Sequence, residues 1–134
     1  MPETRMLAKL LATTAVTDLV GDRIRKHHRK TDWGQSDAIT YQRISTDWVN
    51  GADKNSSTAF ARIQLDLWSS TPLGARALAN AVRTALNGWR DTDGSPAVSM
   101  CHFLNEQDLP QGPDSGEEAT EYRISQDYLI QYSE

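Results

Sequence analysis

An α+β fold is predicted: an antiparallel four-stranded sheet with two helices packed on one face, in the order αββαββ. Three observations predict it. Residues 61–68, Ala-Arg-Ile-Gln-Leu-Asp-Leu-Trp, alternate with period two, as a strand with one buried face does. Apolar residues recur at helical spacing over 6–20 and 73–86, which predicts two amphipathic helices. The last segment places Tyr122, Ile124, Tyr128, Ile130 and Tyr132 on one face of a strand. Two hairpins in one sheet would bury these stripes together.

The first helix is expected from Glu3 to Leu19. Met6, Leu7, Leu10, Leu11, Ala15, Val16, Leu19 and Val20 form its apolar face, and Gly21 is its stop. Residues 21–37 are polar and read as a loop. Ala38–Thr46 is β-branched and aromatic, and reads as a strand. Residues 47–57 contain Asn50-Gly51 and Ser56-Ser57, turn-forming pairs that make a hairpin connection. Thr58–Trp68 is the second strand, with Ala61, Ile63, Leu65 and Leu67 facing the helices. The second helix spans Pro72–Asn87. Thr71 or Ser70 is its cap, Pro72 lies in its first turn, and Asn87-Gly88 ends it. Ala97–Asn105 is the third strand, and 106–118, rich in Pro and Gly, is a loop. Residues 119–132 form the fourth strand. Residues 1–134 are expected to make one domain.

The composition excludes several classes. Charged residues are 24% and hydrophobic residues 38%, values of a globular chain rather than a disordered one. No apolar run of about 20 residues exists to span a membrane. The first residues lack the continuous apolar region of a secretory signal, so a cytosolic place of synthesis and assembly is expected. Cys101 is the only cysteine, so no intramolecular disulfide forms, and a buried apolar role is expected for it.

Charge is distributed unevenly. Residues 1–30 carry +4, residues 31–90 carry +1, and residues 91–134 carry −9. The ends could neutralise each other within one subunit. Alternatively, one subunit's basic face could meet its neighbour's acidic face, which suits a head-to-tail ring.

Arg23-Ile24-Arg25-Lys26-His27-His28-Arg29-Lys30 is the sharpest local cluster. Clustered cations can displace counterions from nucleic acid, but no recognition helix or stacking motif accompanies these. A solvated loop, or a patch that pairs with a neighbouring subunit's acids, is the stronger expectation. Arg25, Lys26, Arg29 and Lys30 are therefore interface candidates. Trp33 and Trp48, in or beside loops, join them, because tryptophan buries much area at interfaces with little loss of rotamer freedom. His27, His28 and Asp32 lack the spacing of a zinc site, and no metal or other cofactor is expected. Cys101 and His102 are neighbours, so a strand would turn them to opposite faces. No nucleophile has a base beside it, no phosphate-binding loop appears, and no catalytic residue is assigned.

Four segments in order carry a resemblance: Leu19-Val20-Gly21-Asp22-Arg23-Ile24 closing the first helix, Tyr41-Gln42-Arg43-Ile44-Ser45 in the first strand, Ile63-Gln64-Leu65-Asp66-Leu67-Trp68 in the second, and Ala85-Leu86-Asn87-Gly88 ending the Ala-rich helix. With the long loop and aromatic final strand that follow, the chain resembles the tail-completion, or tail-terminator, proteins of long-tailed bacteriophages. It departs from their pattern at 25–37, where a Pro-containing lead into the first strand is replaced by the basic run. The resemblance implies a structural protein, not an enzyme. It would form a ring, typically a hexamer, that caps the tail tube, ends its polymerisation and offers a surface for joining the head. Implied partners are further copies of itself, the tail-tube protein and the head-completion or connector protein. DNA would pass through the ring without specific binding. The protein would reside in the virion at the head-proximal end of the tail, after assembly in the host bacterial cytoplasm. Alternatives are a head-completion or other minor connector protein, and a DNA-binding accessory protein using residues 23–30.

Overall fold

A computed structural model describes residues 2–26, 37–48, 58–93, 96–110 and 122–133. Within them the chain folds as α1 (Pro2–Leu11), α2 (Thr14–Val20), β1 (Ile24–Lys26), β2 (Ala38–Trp48), β3 (Thr58–Ser69), α3 (Pro72–Leu86), β4 (Ala97–Pro110) and β5 (Tyr122–Ser133). The α+β class holds. The sheet has five strands, ordered β1-β2-β3-β5-β4, and is mixed because β1 runs parallel to β2. The expected four antiparallel strands are β2 to β5. All helices pack on one face of them, within one apolar cluster.

The expected first helix is two helices. Thr13 Oγ1 donates to the Lys9 carbonyl at 2.7 Å, a local bond that competes with helix continuation. Thr13 then adopts extended backbone, φ −96° and ψ 109°, as the N-cap of α2. The break turns Leu11 and Ala15 away from the core, and Leu11 is 44% exposed. Met6, Leu10, Val16 and Val20 stay fully buried. Gly21 ends α2 at φ 59°, a left-handed conformation that a side chain disfavours.

Strand β3 alternates as its sequence does: Ala59, Ala61, Ile63, Leu65 and Leu67 are fully buried, and the residues between them are half-buried. It pairs without interruption with β5, from Thr58↔Ser133 to Ser69↔Tyr122. The pairing sets Ala61, Ile63, Leu65 and Leu67 opposite Ile130, Tyr128, Gln126 and Ile124. Helix α3 covers this surface with Ala75, Leu78, Ala79, Val82 and Leu86. Thr71 caps it by accepting from the Gly74 N–H at 2.9 Å.

Three further boundaries differ from expectation. Strand β1 lies inside the expected loop at 21–37; three residues paired in parallel carry no periodic signal. Strand β4 runs to Pro110, five residues into the expected loop at 106–118, because Glu106–Pro110 pairs with Tyr122–Gln126. Strand β2 runs to Trp48, two residues into the expected connection at 47–57, while residues 119–121 of the expected fourth strand lie outside the described residues. Trp89 packs partly buried against the core.

Leu65→Asp is expected to unfold the chain. An unpaired carboxylate in the core costs several kcal/mol, a large part of the ~5–15 kcal/mol that holds a domain together. An unchanged melting temperature would show that this face is not the core.

Gly74→Ala is expected to lower the melting temperature, although alanine is favoured over glycine in helices by about 1 kcal/mol. A Cβ at this position collides with Ser69 Oγ and approaches Thr71 Oγ1, and Ser69 is buried. A stabilised variant would show that Ser69 moves freely aside.

Candidate functional site

Three of the six interface candidates fall within the described residues. Arg25 and Lys26 lie on the edge strand β1 and are exposed. Neither meets a described carboxylate. Arg29, Lys30 and Trp33 lie outside the described residues, as do His27, His28 and Asp32. Trp48 ends β2 and is 51% exposed. Its ring meets Tyr132 edge-on, with centroids 6.1 Å apart and planes at 64°. Its partner Ala59 is buried on the helix-bearing face, so Trp48 is half core margin and half free anchor. It lies seven residues along β2 from Tyr41, the partner of Lys26, roughly 23 Å away at strand rise. The candidates therefore mark two ends of one sheet edge, not one patch.

The Arg43 guanidinium sits 5.9 Å from the Tyr132 ring centroid, and its Nε donates to Glu3 Oε1 at 2.9 Å. Glu3 is buried, so this ion pair fixes the start of α1 over the sheet.

A second polar cluster carries no signature in the sequence. Gln126 is fully buried on the helix-bearing face. Its Nε2 donates to the Ala79 carbonyl at 3.0 Å and to Glu106 Oε1 at 2.9 Å. Its Oε1 accepts from the Tyr128 hydroxyl at 2.8 Å. Arg76 donates to Glu106 Oε2 at 2.6 Å and to Asp108 at 3.1 Å. Burial alone would raise the Glu106 pKa, but the bonds from Gln126 and the Arg76 cation outweigh it and lower the pKa. Glu106 opens the segment expected to be a loop, yet it is tied to α3 and β5. The signal available was the period: Gln126 falls on the same face as Ile124 and Tyr128.

Among the described residues no helix covers the opposite face of the sheet. Two charge pairs cross the strands there: Arg62 with Asp127 at 2.6 Å, and Arg123 with Asp66 at 3.8 Å. Arg123 also lies 5.2 Å from the Trp68 ring centroid, and Trp68 Nε1 donates to Thr40 at 3.0 Å. Burial raises the Asp66 pKa, and the Asp127 charge adds to it against Arg123.

Nucleophilic chemistry finds little here. Cys101 is buried, and burial pushes its thiol up to about 12, while His102 is exposed. Among the described residues no cluster of three or more His, Cys, Asp and Glu could hold a metal ion. No described helix is long and apolar enough to cross a membrane. A cleft of about 370 Å³ lies between α3 and the sheet, lined by Pro72, Ala75, Arg76, Asp108, Tyr122, Arg123 and Ile124. Arg76 is already engaged there with Glu106 and Asp108.

The family model described as tail completion protein gp17 matches residues 4–130. The chain belongs to that family. As a tail completion protein it is a structural component of a phage-type virion. A solved chain described as "Virion of native gene transfer agent (GTA) particle" is similar over 96% of this chain and 92% of that one, with a TM-score of 0.73 and 18% identity. At that identity the likeness is one of fold. No curated protein matches the sequence.

The Glu106 cluster predicts an acid-sensitive contribution in this tail completion protein. A carboxyl with a lowered folded pKa stabilises above its unfolded value, and that stability is lost as pH falls through the folded value. The window therefore lies below the ordinary value of 4.5. Glu106→Gln is expected to cost about 2 kcal/mol at neutral pH, the scale of hydrogen bonds to a charged group. The gap from the native chain should close as pH falls below that window. A gap constant from pH 7 to pH 3 in thermal melts would show that Glu106 carries no paired charge.

Proposed function

We propose that this single-domain chain forms a ring, most simply a hexamer, on the last ring of the tail tube. The ring ends tube polymerisation and presents its other face to the head-completion or connector protein. The observation that carries this reading is family membership across almost the whole chain. The open sheet supports it physically. Its two edges, β1 and β4, differ in sequence and charge, and unlike surfaces suit a contact that closes by rotation.

The role needs no catalysis. Termination requires only that one face complement the tube while the other does not. Passage of DNA requires a channel wall that does not hold phosphates, and paired charges such as Arg62–Asp127 and Arg123–Asp66 offer less free cation to bind them. The proposed location is the head-proximal end of the tail, after assembly in the host cytoplasm. Trp48 is the proposed aromatic contact of the ring or tube, because half its ring surface is free while Tyr132 holds its orientation.

A phage lacking this protein is expected to make overgrown tails, or tails that fail to join filled heads. Purified protein should restore joining without nucleotide hydrolysis. Tails of normal length joined to heads in the deletion phage would remove the terminator reading.

A further inference from the structure

Among the described residues the outer edge of β4 is closed along only half its length. The Val98 N–H and carbonyl bond to Asp91, each at 2.8 Å. The Cys101 carbonyl accepts from Gly88 at 2.8 Å, and the Phe103 N–H donates to Asn87 Oδ1 at 3.2 Å. Val98, Cys101 and Phe103 thus turn their backbone groups outward, opposite Tyr132, Ile130 and Tyr128. A bulge at Leu104 shifts the register, after which Glu106 and Asp108 oppose Gln126 and Ile124. Alternation along β5 makes these the next outward pairs. No described residue meets their backbone groups on that side. Leu104 is 39% exposed at the bulge, and Asp108, four residues further along, accepts from Arg76 with its carboxylate still mostly in water.

The other edge of the sheet is the counterpart. Strand β1 covers only Ile39–Tyr41 of β2, and among the described residues β2 has no outer partner beyond that point. This edge carries the exposed cations Arg25 and Lys26, and Ile44, 49% exposed at the β2 bulge. One edge is therefore basic with an exposed aliphatic residue at a bulge. The other carries Glu106 and Asp108 against Arg76, a net negative charge, with the same.

We infer that the β1–β2 edge of one copy docks on the open half of the β4 edge of the next, Arg25 and Lys26 facing Asp108. The inference rests on the ring reading and gives that ring its contact. The occupant of each edge is a second copy because the complementary charge and the complementary bulge residue are both present on this chain. The contact is heterologous, so each copy offers one half and receives the other. The backbone groups of Glu106 and Asp108 add strand-to-strand bonds that apolar contact alone would not supply.

The test uses the full chain, with sedimentation velocity across a concentration series and circular dichroism to verify folding. Arg25→Glu with Lys26→Glu spoils only the first edge. Asp108→Pro removes an outward N–H, a charge and the ion pair with Arg76 from the second. Each variant alone is expected to self-associate about tenfold or more weakly than the native chain. Mixed together, they should form a one-to-one pair and nothing larger, because the mixture holds one intact half of each kind. If Asp108→Pro does not fold, Asp108→Lys replaces it. It should weaken association alone and restore it when combined in one chain with the two Glu substitutions. Rings of native size from both variants would overturn the edge contact and leave the ring reading standing. Self-association kept by one variant alone would show like edges meeting, and would also overturn it. A native chain that stays monomeric throughout the series would overturn both.

Discussion

The pairing of β3 with β5 is the constraint on which the rest of this structure depends. It is the one long ladder that runs without a bulge, from Thr58↔Ser133 to Ser69↔Tyr122. Both strands are central, so their backbone groups are satisfied on both sides, and each must bury the correct face. A slip of one residue would turn Ile63, Leu65 and Leu67 away from the helices. Irregularities sit in the outer strands instead: one shift in β2, two in β4. Bulges there can twist the sheet without disturbing the face that holds the core. Because β5 lies between β3 and β4, the two hairpins are joined by a crossing element. That element is α3, which lies over the ladder it helps to enclose.

The core is not wholly apolar, and its polar members have a common logic. Gln126 stands in the middle of an apolar row, yet both ends of its amide have partners. A fully satisfied buried network costs little and fixes one arrangement, where apolar contact alone would tolerate several. Gln126 and Glu106 bind α3 to β4 and β5 at a set register, through Ala79 and Arg76. Glu3 and Arg43 do the same for α1 and β2. Helices α1 and α3 are thus each held to the sheet by a directional bond.

The legible parts of this fold were those where one residue's neighbours in sequence decide its state. Strand β3 showed its faces by alternation, and α3 showed its start and stop by Thr71, Pro72 and Asn87-Gly88. The break between α1 and α2 was hidden because apolar spacing continues through it, while the cause is one hydroxyl of Thr13 turned back to Lys9. Strand β1 was hidden because its pairing is parallel and long-range, and Arg23-Ile24-Arg25-Lys26 has no strand pattern of its own. The end of β4 was hidden because Glu106-Gln107-Asp108 reads as loop until Arg76 and Gln126 are brought to it. The same holds for the candidate site. Arg25, Lys26 and Trp48 were visible as residue types that make contacts, but their separation along one edge required the topology. The open half of β4 was not visible at all.

Two explanations stood for the opposed charges of the chain ends, and the structure divides the charges between them. Asp91 meets Arg5, Glu106 and Asp108 meet Arg76, and Asp127 meets Arg62. Neutralisation within the chain thus accounts for four of the C-terminal acids, each by an arginine distant in sequence. It does not account for Arg25 and Lys26. Charged side chains on an edge strand ordinarily serve to repel unwanted strands, and that role alone would be met by either sign on either edge. Here the signs differ. Cations guard β1, while β4 is guarded by acids and a bulge. Guards of one sign would keep every pair of edges apart. Guards of opposite sign keep β1 from β1 and β4 from β4, yet leave β1 free to meet β4. On the ring proposed above, this arrangement favours the one edge pairing between copies that has a direction, and a contact with direction is the kind that closes into a ring.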